Sequence, residues 1–494
     1  MMEDRVYSYL NNRMTLLPDM AKSYASDRAT KLPKPELGAF WRVSERVRRF
    51  LESEGERNRI IIMPGLRGVG KTTTLFQLYE KFRGMFGKDR ILYIDCNDLK
   101  ANEIGLNDLL SVYELKVLGE PFTSVNDRIL LLIDEAHADA KWEAVVKSLN
   151  DRTVPHRNVY TIVSGSSSIA LDISTDLARR RDLEWVFPLD FFEYRKINAR
   201  PGEPMETLKM DGHAAEGLNR LFTKRGSNSE FAKDLDRTER QSSEIYKSFK
   251  GADFFEQNLG EYLYRGGFPF LQAKETDNLA FQSVIDIINR IIEHDLPLYT
   301  SLSSSTISKV MPLLQMLSSG TDRISYETMG SVLGLSKSKI SGILRALEKA
   351  GLIFGVKPMG SVKNMVSSSW KYYFTTPAVK AALLWSAGKF EKSSEKMGWL
   401  LETYVADVLW KKKLLEPNVV NDFFFLSQKG FADFLIKSGD NMIIMECGWG
   451  EKNARQAAGP METFNAGLGI IVSKTGPKVD GNIIFIPLRL FFMM

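Results

Sequence analysis

The stretch that decides the fold is Gly65-Leu66-Arg67-Gly68-Val69-Gly70-Lys71-Thr72, which has the spacing G-x-x-x-x-G-K-T. Glycines at these positions let main-chain N–H groups turn inward and surround a phosphate. The pattern places Lys71 at the β- and γ-phosphates and the Thr72 hydroxyl at Mg²⁺. It therefore predicts a site for ATP and Mg²⁺. The residues expected around the phosphates are Gly65, Arg67, Gly68, Val69, Gly70, Lys71, Thr72 and Thr73.

The flanking segments favour a strand before this loop and a helix after it. Residues 59–63 form a short, mainly apolar run. Four apolar residues then recur with the period of one helix face, namely Leu75, Leu78, Tyr79 and Phe82. A helix in this position directs the positive end of its dipole toward the phosphates.

An acidic pair ends the clearest strand of the sequence. Residues 129–133 are consecutive aliphatic residues, and Asp134 and Glu135 follow them. Such a run is typical of a central parallel strand that delivers a carboxylate to the ligand edge of a sheet. We expect Asp134 to hold Mg²⁺ through water, and Glu135 to act as the general base on the attacking water.

Three more strands complete the expected sheet, at residues 91–95, 159–163 and 184–189. The second of these ends at Ser164, whose hydroxyl suits either a sensor of the γ-phosphate or a cap of the next helix. Together the strands and the loop predict an α/β fold, a P-loop NTPase with a parallel five-stranded sheet.

The composition sets wider limits. A chain of 494 residues exceeds one ordinary core, so several domains are expected. The net charge of +5 permits a nucleic-acid surface without requiring one. Two distant cysteines and the lack of a signal-peptide pattern favour the cytoplasm. No apolar run reaches the roughly 18 residues that a membrane helix needs, so no membrane partner is expected.

Residues 305–375 have the pattern of a winged helix-turn-helix. Three helical segments, with a tight turn at Gly334, precede segments 354–358 and 371–375, which can pair as a wing. DNA is therefore an expected partner, and the alternative is a packing or protein-interaction module. The residues placed for phosphate contacts are Lys337, Lys339, Lys357 and Lys363.

These motifs together resemble the AAA+/STAND superfamily of P-loop ATPases. Within it, the chain is similar to the archaeal and bacterial ATPases that carry a C-terminal nuclease-like domain. The resemblance is carried by five segments: 65–72, 132–137, 164–167, 188–194 and 262–269. It is strongest over residues 40–300 and looser beyond them.

The resemblance implies further residues of the nucleotide site. Pro269, in a lid segment, is expected near the adenine. Residues 40–42 (Phe-Trp-Arg) are expected either at the base pocket or as packing on the first strand. Arg180 is expected as an arginine finger that enters a neighbouring subunit, which implies a homo-oligomer. The alternative for Arg180 is a basic helix end favoured by the dipole.

The resemblance also implies a C-terminal domain similar to PD-(D/E)XK nucleases. Glu402, Asp433 and Glu446 have the order of carboxylates that hold Mg²⁺ in such enzymes. The lysine expected two residues after the strand acid is Gly448 here, and Lys452 is the nearest replacement. Either an active nuclease or a fold kept for DNA binding, docking or structure agrees with this pattern.

We expect four domains. They are an N-terminal helix with the ATPase core (1–195), a helical lid with a polar insertion (196–300), a winged helix (301–378) and a nuclease-like domain (379–494). The leading hypothesis is an ATP-hydrolysing switch or motor that acts on DNA. The alternatives are a nucleotide-dependent signalling scaffold with little turnover and an ATP-gated DNA nuclease.

Overall fold

The computed structural model describes residues 2–27, 30–52, 58–167, 174–198, 252–320, 323–360, 370–428 and 430–492, with a few single residues between 222 and 240. Two compact units are present, Met1–Phe187 with Lys349–Gly351, and Pro188–Glu348 with Leu352–Met494. Lys363 and most of the polar insertion predicted after residue 198 lie outside the described residues. No described helix has the length and apolar character needed to cross a bilayer.

The first unit contains a parallel five-stranded sheet. Its strands are β1 (Ile60–Pro64), β2 (Ile91–Asp95), β3 (Ile129–Asp134), β4 (Val159–Gly165) and β5 (Arg181–Leu183), in the order β2-β3-β4-β1-β5. Strands β1, β3 and β4 are buried along their whole length, as expected for a parallel sheet covered on both faces. The predicted fold class, an α/β P-loop NTPase, is confirmed.

The fifth strand differs from its prediction. The sequence predicts a strand at 184–189, whereas β5 ends at Leu183. Main-chain N–H groups of Glu184 and Val186 still donate to the carbonyls of Ile62 and Pro64, each at 2.9 Å. The buried apolar residues that suggested a strand therefore belong to an irregular continuation of the ladder.

Helices cover both faces of this sheet. They are α1 (Met2–Ala25), α2 (Gly38–Glu52), α3 (Lys71–Phe82), α4 (Cys96–Ala101), α5 (Leu106–Val112), α6 (Trp142–Arg152) and α7 (Thr175–Ala178). A π-helical segment, Tyr113–Leu118, continues α5, and a 3-10 turn, Ala136–Ala138, follows β3. The predicted apolar face of α3 is buried at Leu75, Leu78, Tyr79 and Phe82.

The second unit opens with helices and continues into an α/β region. Its helices are α8 (Phe191–Asn198), α9 (Ala252–Arg265), α10 (Asp277–Arg290), α11 (Leu296–Tyr299), α12 (Ser304–Ile307), α13 (Val310–Ser318), α14 (Tyr326–Leu333), α15 (Lys337–Lys349), α16 (Pro377–Ser386), α17 (Ser394–Leu415), α18 (Arg455–Thr463) and α19 (Leu488–Phe491). A 3-10 helix, Pro269–Ala273, and a π-helical segment, Ile291–Asp295, flank α10.

A mixed eight-stranded sheet organises the rest of this unit. Its strands are β6 (Ile353–Pro358), β7 (Lys371–Phe374), β8 (Asp422–Phe425), β9 (Phe434–Ser438), β10 (Asn441–Cys447), β11 (Leu468–Ser473), β12 (Lys478–Asp480) and β13 (Ile483–Pro487). The order is β12-β13-β11-β10-β9-β8-β6-β7. The boundary predicted at 378/379 therefore separates strands of one sheet.

The segment predicted as a winged helix contains four described helices, α12 to α15, and a hairpin. One helix predicted at 307–317 is divided into α12 and α13 by a turn at Ser308 and Lys309. The Ser325 hydroxyl caps α14 by accepting from the Thr328 N–H at 3.0 Å, and Gly334 ends that helix with a positive φ of 63°. Strands β6 and β7 pair antiparallel, as predicted.

Candidate functional site

The loop between β1 and α3 requires glycine for two different reasons. Gly68 and Gly70 have positive φ angles of 88° and 107°, a region that side chains disfavour. Gly65 has no room for a side chain, because an added Cβ would lie 2.3 Å from the carbonyl oxygen of Val186. The spacing seen in the sequence is therefore the spacing that this backbone needs.

Lys71 begins α3 and folds back over the loop. Its side chain is 5% exposed, and its Nζ donates to the carbonyl oxygens of Gly65 at 2.8 Å and Leu66 at 3.2 Å. These acceptors are neutral. A phosphate oxygen is a stronger acceptor for an ammonium group because both partners then carry charge.

Asp134 is the centre of a buried hydrogen-bond cluster. One carboxylate oxygen, Oδ2, accepts from the hydroxyls of Thr72 at 2.7 Å and Tyr93 at 3.0 Å. The other, Oδ1, accepts from the Ser164 hydroxyl. These side chains meet because β4 lies between β1 and β3, so the carboxyl ends of the strands converge.

Electrostatics make Asp134 responsive to a cation. Burial raises the pKa of this carboxyl, and the nearby charge of Glu135 raises it further, while the bonds from Ser164 and Thr72 oppose the shift. A divalent cation would reverse the balance by favouring the charged form. Thr72 and Asp134 supply hard oxygen donors of the kind that Mg²⁺ takes, so the residues fit this ion.

Glu135 has an unusual backbone. Its φ of 50° lies in the left-handed region, which is uncommon for a residue with a side chain. Its N–H donates to Asp134 Oδ1 at 3.1 Å, and its carboxylate Oε2 lies 3.6 Å from Nδ1 of His137. The turn directs Glu135 out of the strand, so the carboxylates of Asp134 and Glu135 occupy different parts of the site. Backbone strain of this kind is characteristic of functional sites.

Ser164 is fully buried and contacts both acids. Its hydroxyl donates to Asp134 and lies 3.4 Å from the Glu135 N–H. The hydroxyl thus connects the end of β4 to the acidic pair of β3. The segment after it, residues 168–173, lies outside the described residues, so the capping alternative is not tested.

The residues implied only by family resemblance have the following contacts and exposure. Arg180 donates to Asp151 Oδ1 and to the Asp176 carbonyl, each at 2.7 Å. Phe40 is buried in α2, whereas Trp41 is 51% exposed, with Lys81 Nζ 4.5 Å from its ring centroid. Arg42 pairs with Glu184 at 2.6 Å. Pro269 belongs to the second unit, where it opens a 3-10 helix.

A second group of ionisable residues lines a cleft in the α/β region of the second unit. The cleft has a volume of about 340 Å³. Its walls include α17, the end of β10 and the turn before α18. The structure brings together there all four residues predicted for the nuclease-like site: Glu402, Asp433, Glu446 and Lys452.

Lys452 occupies the space that a side chain at position 448 would fill. A Cβ added to Gly448 would lie 2.2 Å from Cε of Lys452. Nζ of Lys452 lies 2.6 Å from Glu446 Oε1 and 3.1 Å from Gln456 Oε1. The Lys452 backbone is held by Thr475, whose hydroxyl accepts from its N–H at 3.0 Å. Lys452 thus brings an ammonium group to the strand acid Glu446 from four residues after position 448.

Glu402 is held by two residues that the sequence did not predict. Lys371 Nζ lies 2.5 Å from Glu402 Oε1, and the Tyr373 hydroxyl donates to the same oxygen at 2.8 Å. Both come from β7, about thirty positions before Glu402, so no local pattern joins them. Packing of α17 against β7 is what brings them together.

The carboxylates of the cleft influence one another. Burial raises the pKa of Asp433, and the charges of Glu446 and Glu402 raise it further. Burial also raises the pKa of Glu446, although its bond with Lys452 opposes this. Glu446 Oε2 is buried without a hydrogen-bond partner, which suits a cation ligand. Within the described ranges, however, no three potential ligands converge as a ready-made metal site.

The basic residues predicted to contact DNA lie on the surface. Lys337 at the start of α15 pairs with Glu327 at 2.8 Å, and both side chains are well exposed. Lys339 is also exposed. Lys357 on β6 is exposed, with Nζ 5.3 Å from the ring centroid of Trp370. These settings leave the ammonium groups at the solvent boundary.

Comparison with known proteins finds family models that match two segments of the chain. Residues 57–195 match the family model described as an AAA domain, and residues 256–389 match one described as a domain of unknown function (DUF8612). The uncharacterized protein MJ1637 of Methanocaldococcus jannaschii is 31% identical over 458 residues, which are 92% of this chain and 88% of MJ1637. The chain belongs to the MJ1637 family.

Solved structures with partial similarity include two Aeropyrum pernix proteins. ORC1 in complex with DNA has 11% identity and a TM-score of 0.31, covering 73% of this chain and 95% of ORC1. ORC2 with nucleotides has 13% identity and a TM-score of 0.33, covering 72% of this chain and 96% of ORC2. The family assignment depends on MJ1637 and on the AAA domain, which is a P-loop ATPase domain.

Within this MJ1637-family chain, Tyr93 was also not predicted as a site residue. It lies on β2, whose neighbour β3 carries Asp134, with Tyr93 opposite Leu132 in the register. A polar side chain near the carboxyl end of the adjacent strand was the available signal. This signal was hard to recognise because Tyr93 stands in an apolar run, where tyrosine is an ordinary strand residue.

Proposed function

We propose that this protein is an ATP-hydrolysing switch that acts on DNA. The observation that carries its ATPase part is the bond from Thr72, at the end of the glycine loop, to the buried Asp134, with Glu135 turned out beside it. A loop that only binds phosphate needs the glycines, Lys71 and Thr72, but it needs no second acid beside Asp134. An acid outside the Asp134 cluster favours hydrolysis over binding alone.

Each residue of the nucleotide site has a distinct task in this proposal. The loop amides and Lys71 bind the phosphates, while Thr72 and Asp134 hold Mg²⁺, which neutralises developing charge when bound. Glu135 orients water and accepts its proton. Ser164 joins the two acids by hydrogen bonds and is the proposed sensor, because any shift of Asp134 changes its contacts.

The DNA contact is proposed for the helices and hairpin of the second unit. Helix α14, the turn at Gly334, α15 and the β6–β7 hairpin follow the order of a winged helix-turn-helix. Exposed lysines at the start of α15 and on the hairpin suit phosphate contacts. An interaction module is the competing function for this surface.

Arg180 is proposed to act in a neighbouring subunit of a homo-oligomer. Its bonds to Asp151 and Asp176 hold the side chain on its own subunit, so transfer would require those bonds to be exchanged. Mixing Lys71→Ala subunits with Arg180→Ala subunits tests this. If Arg180→Ala alone is inactive, recovery of ATPase activity in the mixture supports action in trans, and no recovery contradicts it. Full activity of Arg180→Ala alone would contradict a catalytic role for this residue.

The test of the main proposal is the ATPase rate measured with and without DNA. We expect turnover in Mg²⁺ that changes several-fold when duplex or single-stranded DNA is added. A rate that is identical with and without DNA would leave an ATPase that does not act on DNA. Tight nucleotide binding without turnover would favour the signalling scaffold.

A DNA nuclease is the second candidate function, favoured by the position of Lys452 over Gly448 in the acidic cleft. The residues proposed to hold a divalent cation are Glu402, Asp433 and Glu446, and Lys452 is proposed to orient water. End-labelled DNA incubated with Mg²⁺ or Mn²⁺, with and without ATP, tests this. Intact substrate under all conditions would favour a fold kept for binding.

A further inference from the structure

Two tryptophans flank the carboxylates of the cleft. Trp399 precedes Glu402 by three residues on α17, so both share one face of that helix. Trp449 follows Glu446 by three residues, just after β10. Both indoles line the cleft and are only partly buried. The acidic floor therefore has a flat aromatic surface on two sides.

Each indole is accompanied by an ammonium group. Nζ of Lys396 lies 3.5 Å from the ring centroid of Trp399, and Nζ of Lys474 lies 5.5 Å from that of Trp449. Trp449 is also supported from behind, since a Cβ added to Gly260 of α9 would lie 3.8 Å from its Cζ2. Such contacts hold the rings in place and set positive charge at the rim of an acidic cleft.

Aromatic surfaces beside cations are the elements with which proteins hold unpaired nucleic acid. Bases stack on the rings, and the strand backbone follows the positive charge. A base inside a duplex is stacked on its neighbours and offers no face to an indole. The cleft volume of about 340 Å³ lies near the lower limit for small-molecule sites, which suits one or two nucleotides.

We propose that this cleft binds an unpaired nucleotide of a nucleic-acid strand, with its base against Trp399 or Trp449. The inference rests on the second candidate function above for its choice of nucleic acid as ligand. It adds a substrate class: single strands, overhangs or flaps rather than continuous duplex. DNA and RNA share the stacking chemistry, so the probes must distinguish them.

The experiment uses the full chain carrying Lys337→Glu and Lys339→Glu, which weakens the separate surface proposed for duplex DNA. Fluorescence anisotropy measures the affinity for a labelled 12-nucleotide oligothymidine, an oligouridine of the same length and a blunt-ended DNA duplex of two strands, in EDTA. Trp399→Ala and Trp449→Ala are each expected to weaken single-strand binding about tenfold. Trp399→Phe and Trp449→Phe are the matched controls, because they keep an aromatic face and should retain most of the affinity.

Equal single-strand affinity in the parent and both alanine variants would overturn the inference, as would equal losses for the blunt duplex and the single strands. If an alanine variant fails to fold, the phenylalanine variants still decide the matter through indole fluorescence. Oligothymidine should quench the indole fluorescence of the parent, and most of this quenching should be lost when the tryptophan that stacks on the base is replaced by phenylalanine. A signal unchanged by both replacements would contradict the inference.

A cleavage assay in Mg²⁺ separates the two proposals. Tryptophan-dependent binding of single strands without any cleavage would refute the nuclease and leave the inference. Cleavage within a blunt duplex that is unaffected by both alanine variants would leave the nuclease and refute the inference.

Discussion

The nucleotide loop and the acidic cleft both contain a lysine that contacts its own chain, but the two lysines are held differently. Lys71 donates to main-chain carbonyls of the loop that precedes it, whereas Lys452 pairs with the carboxylate of Glu446. In the loop, the backbone itself forms the proposed phosphate site, so glycine positions and the lysine must keep a fixed spacing. In the cleft, side chains from separate elements form the site, so a lysine can enter from another position.

This difference explains why the loop follows a strict sequence motif, whereas the cleft departs from the pattern of the family that it resembles. The loop needs its motif because two of its positions have positive φ angles and a third lies close to Val186, and glycine suits all three. Where only the tip of a side chain matters, position 448 can be glycine and position 452 can supply the ammonium group. The comparison predicts that the lysine of the loop cannot be moved to another position without loss of activity, whereas the lysine of the cleft can.

The largest effect is expected at Glu135, which belongs to the loop site but lies outside the motif. Glu135→Gln should lower kcat for ATP by about 10²–10⁴-fold, because the amide cannot accept the proton of water. ATP binding, measured by filter retention, should persist. Glu120→Gln, an exposed surface change, is the control. Normal turnover by Glu135→Gln would show that another group activates water.

Replacement of Lys71 tests the fixed half of the comparison. Lys71→Ala should lower ATPase activity by about 10²–10³-fold, because a preorganised charge on the phosphates is lost. Steady-state phosphate release measures the effect, and Lys88→Ala, at an exposed lysine, is the matched control. Unchanged ATPase activity in a folded Lys71→Ala variant would remove the loop from the mechanism.

Moving the cleft lysine tests the tolerant half. If the cleft cleaves DNA, Lys452→Gly should lower the rate by about 10²-fold, because the group that orients water is lost. Adding Gly448→Lys to that variant should restore activity, since the obstruction at position 448 is the Lys452 side chain. End-labelled substrates report the rates. A double variant as inactive as Lys452→Gly would contradict the relocation.

The smallest effect is expected at the exposed surface of α15, where neither backbone nor burial fixes a lysine. Lys337→Glu with Lys339→Glu should weaken duplex binding about tenfold or more and flatten its dependence on salt, because two phosphate contacts are replaced by repulsion. Anisotropy titrations at several salt concentrations measure both quantities. Lys389→Glu, also exposed in the same unit, is the control. Parallel salt plots for variant and parent would favour an interaction module.

Much of the first unit could be predicted because its strands are continuous buried runs and its loop has a required spacing. The error at the fifth strand arose because Val186 is buried in irregular backbone that still hydrogen-bonds to β1. Tyr93 escaped prediction since it reaches Asp134 from the neighbouring strand β2, and Lys371 and Tyr373 since they reach Glu402 of α17 from strand β7. Contacts of that kind depend on how distant elements pack, which local patterns do not contain.

The junction between β6 and β8 gives the second unit a defined mechanical weak point. Two residue pairs join these strands, Lys357 with Phe424 and Pro358 with Phe425, whereas five pairs join β9 to β10. Proline has no N–H to donate, which weakens the junction further. A pull on the hairpin should therefore part the sheet at this junction first. Because Lys371 of β7 pairs with Glu402 of α17, a helix outside the sheet, this ion pair would be among the contacts that still hold the hairpin to the cleft after the strands part.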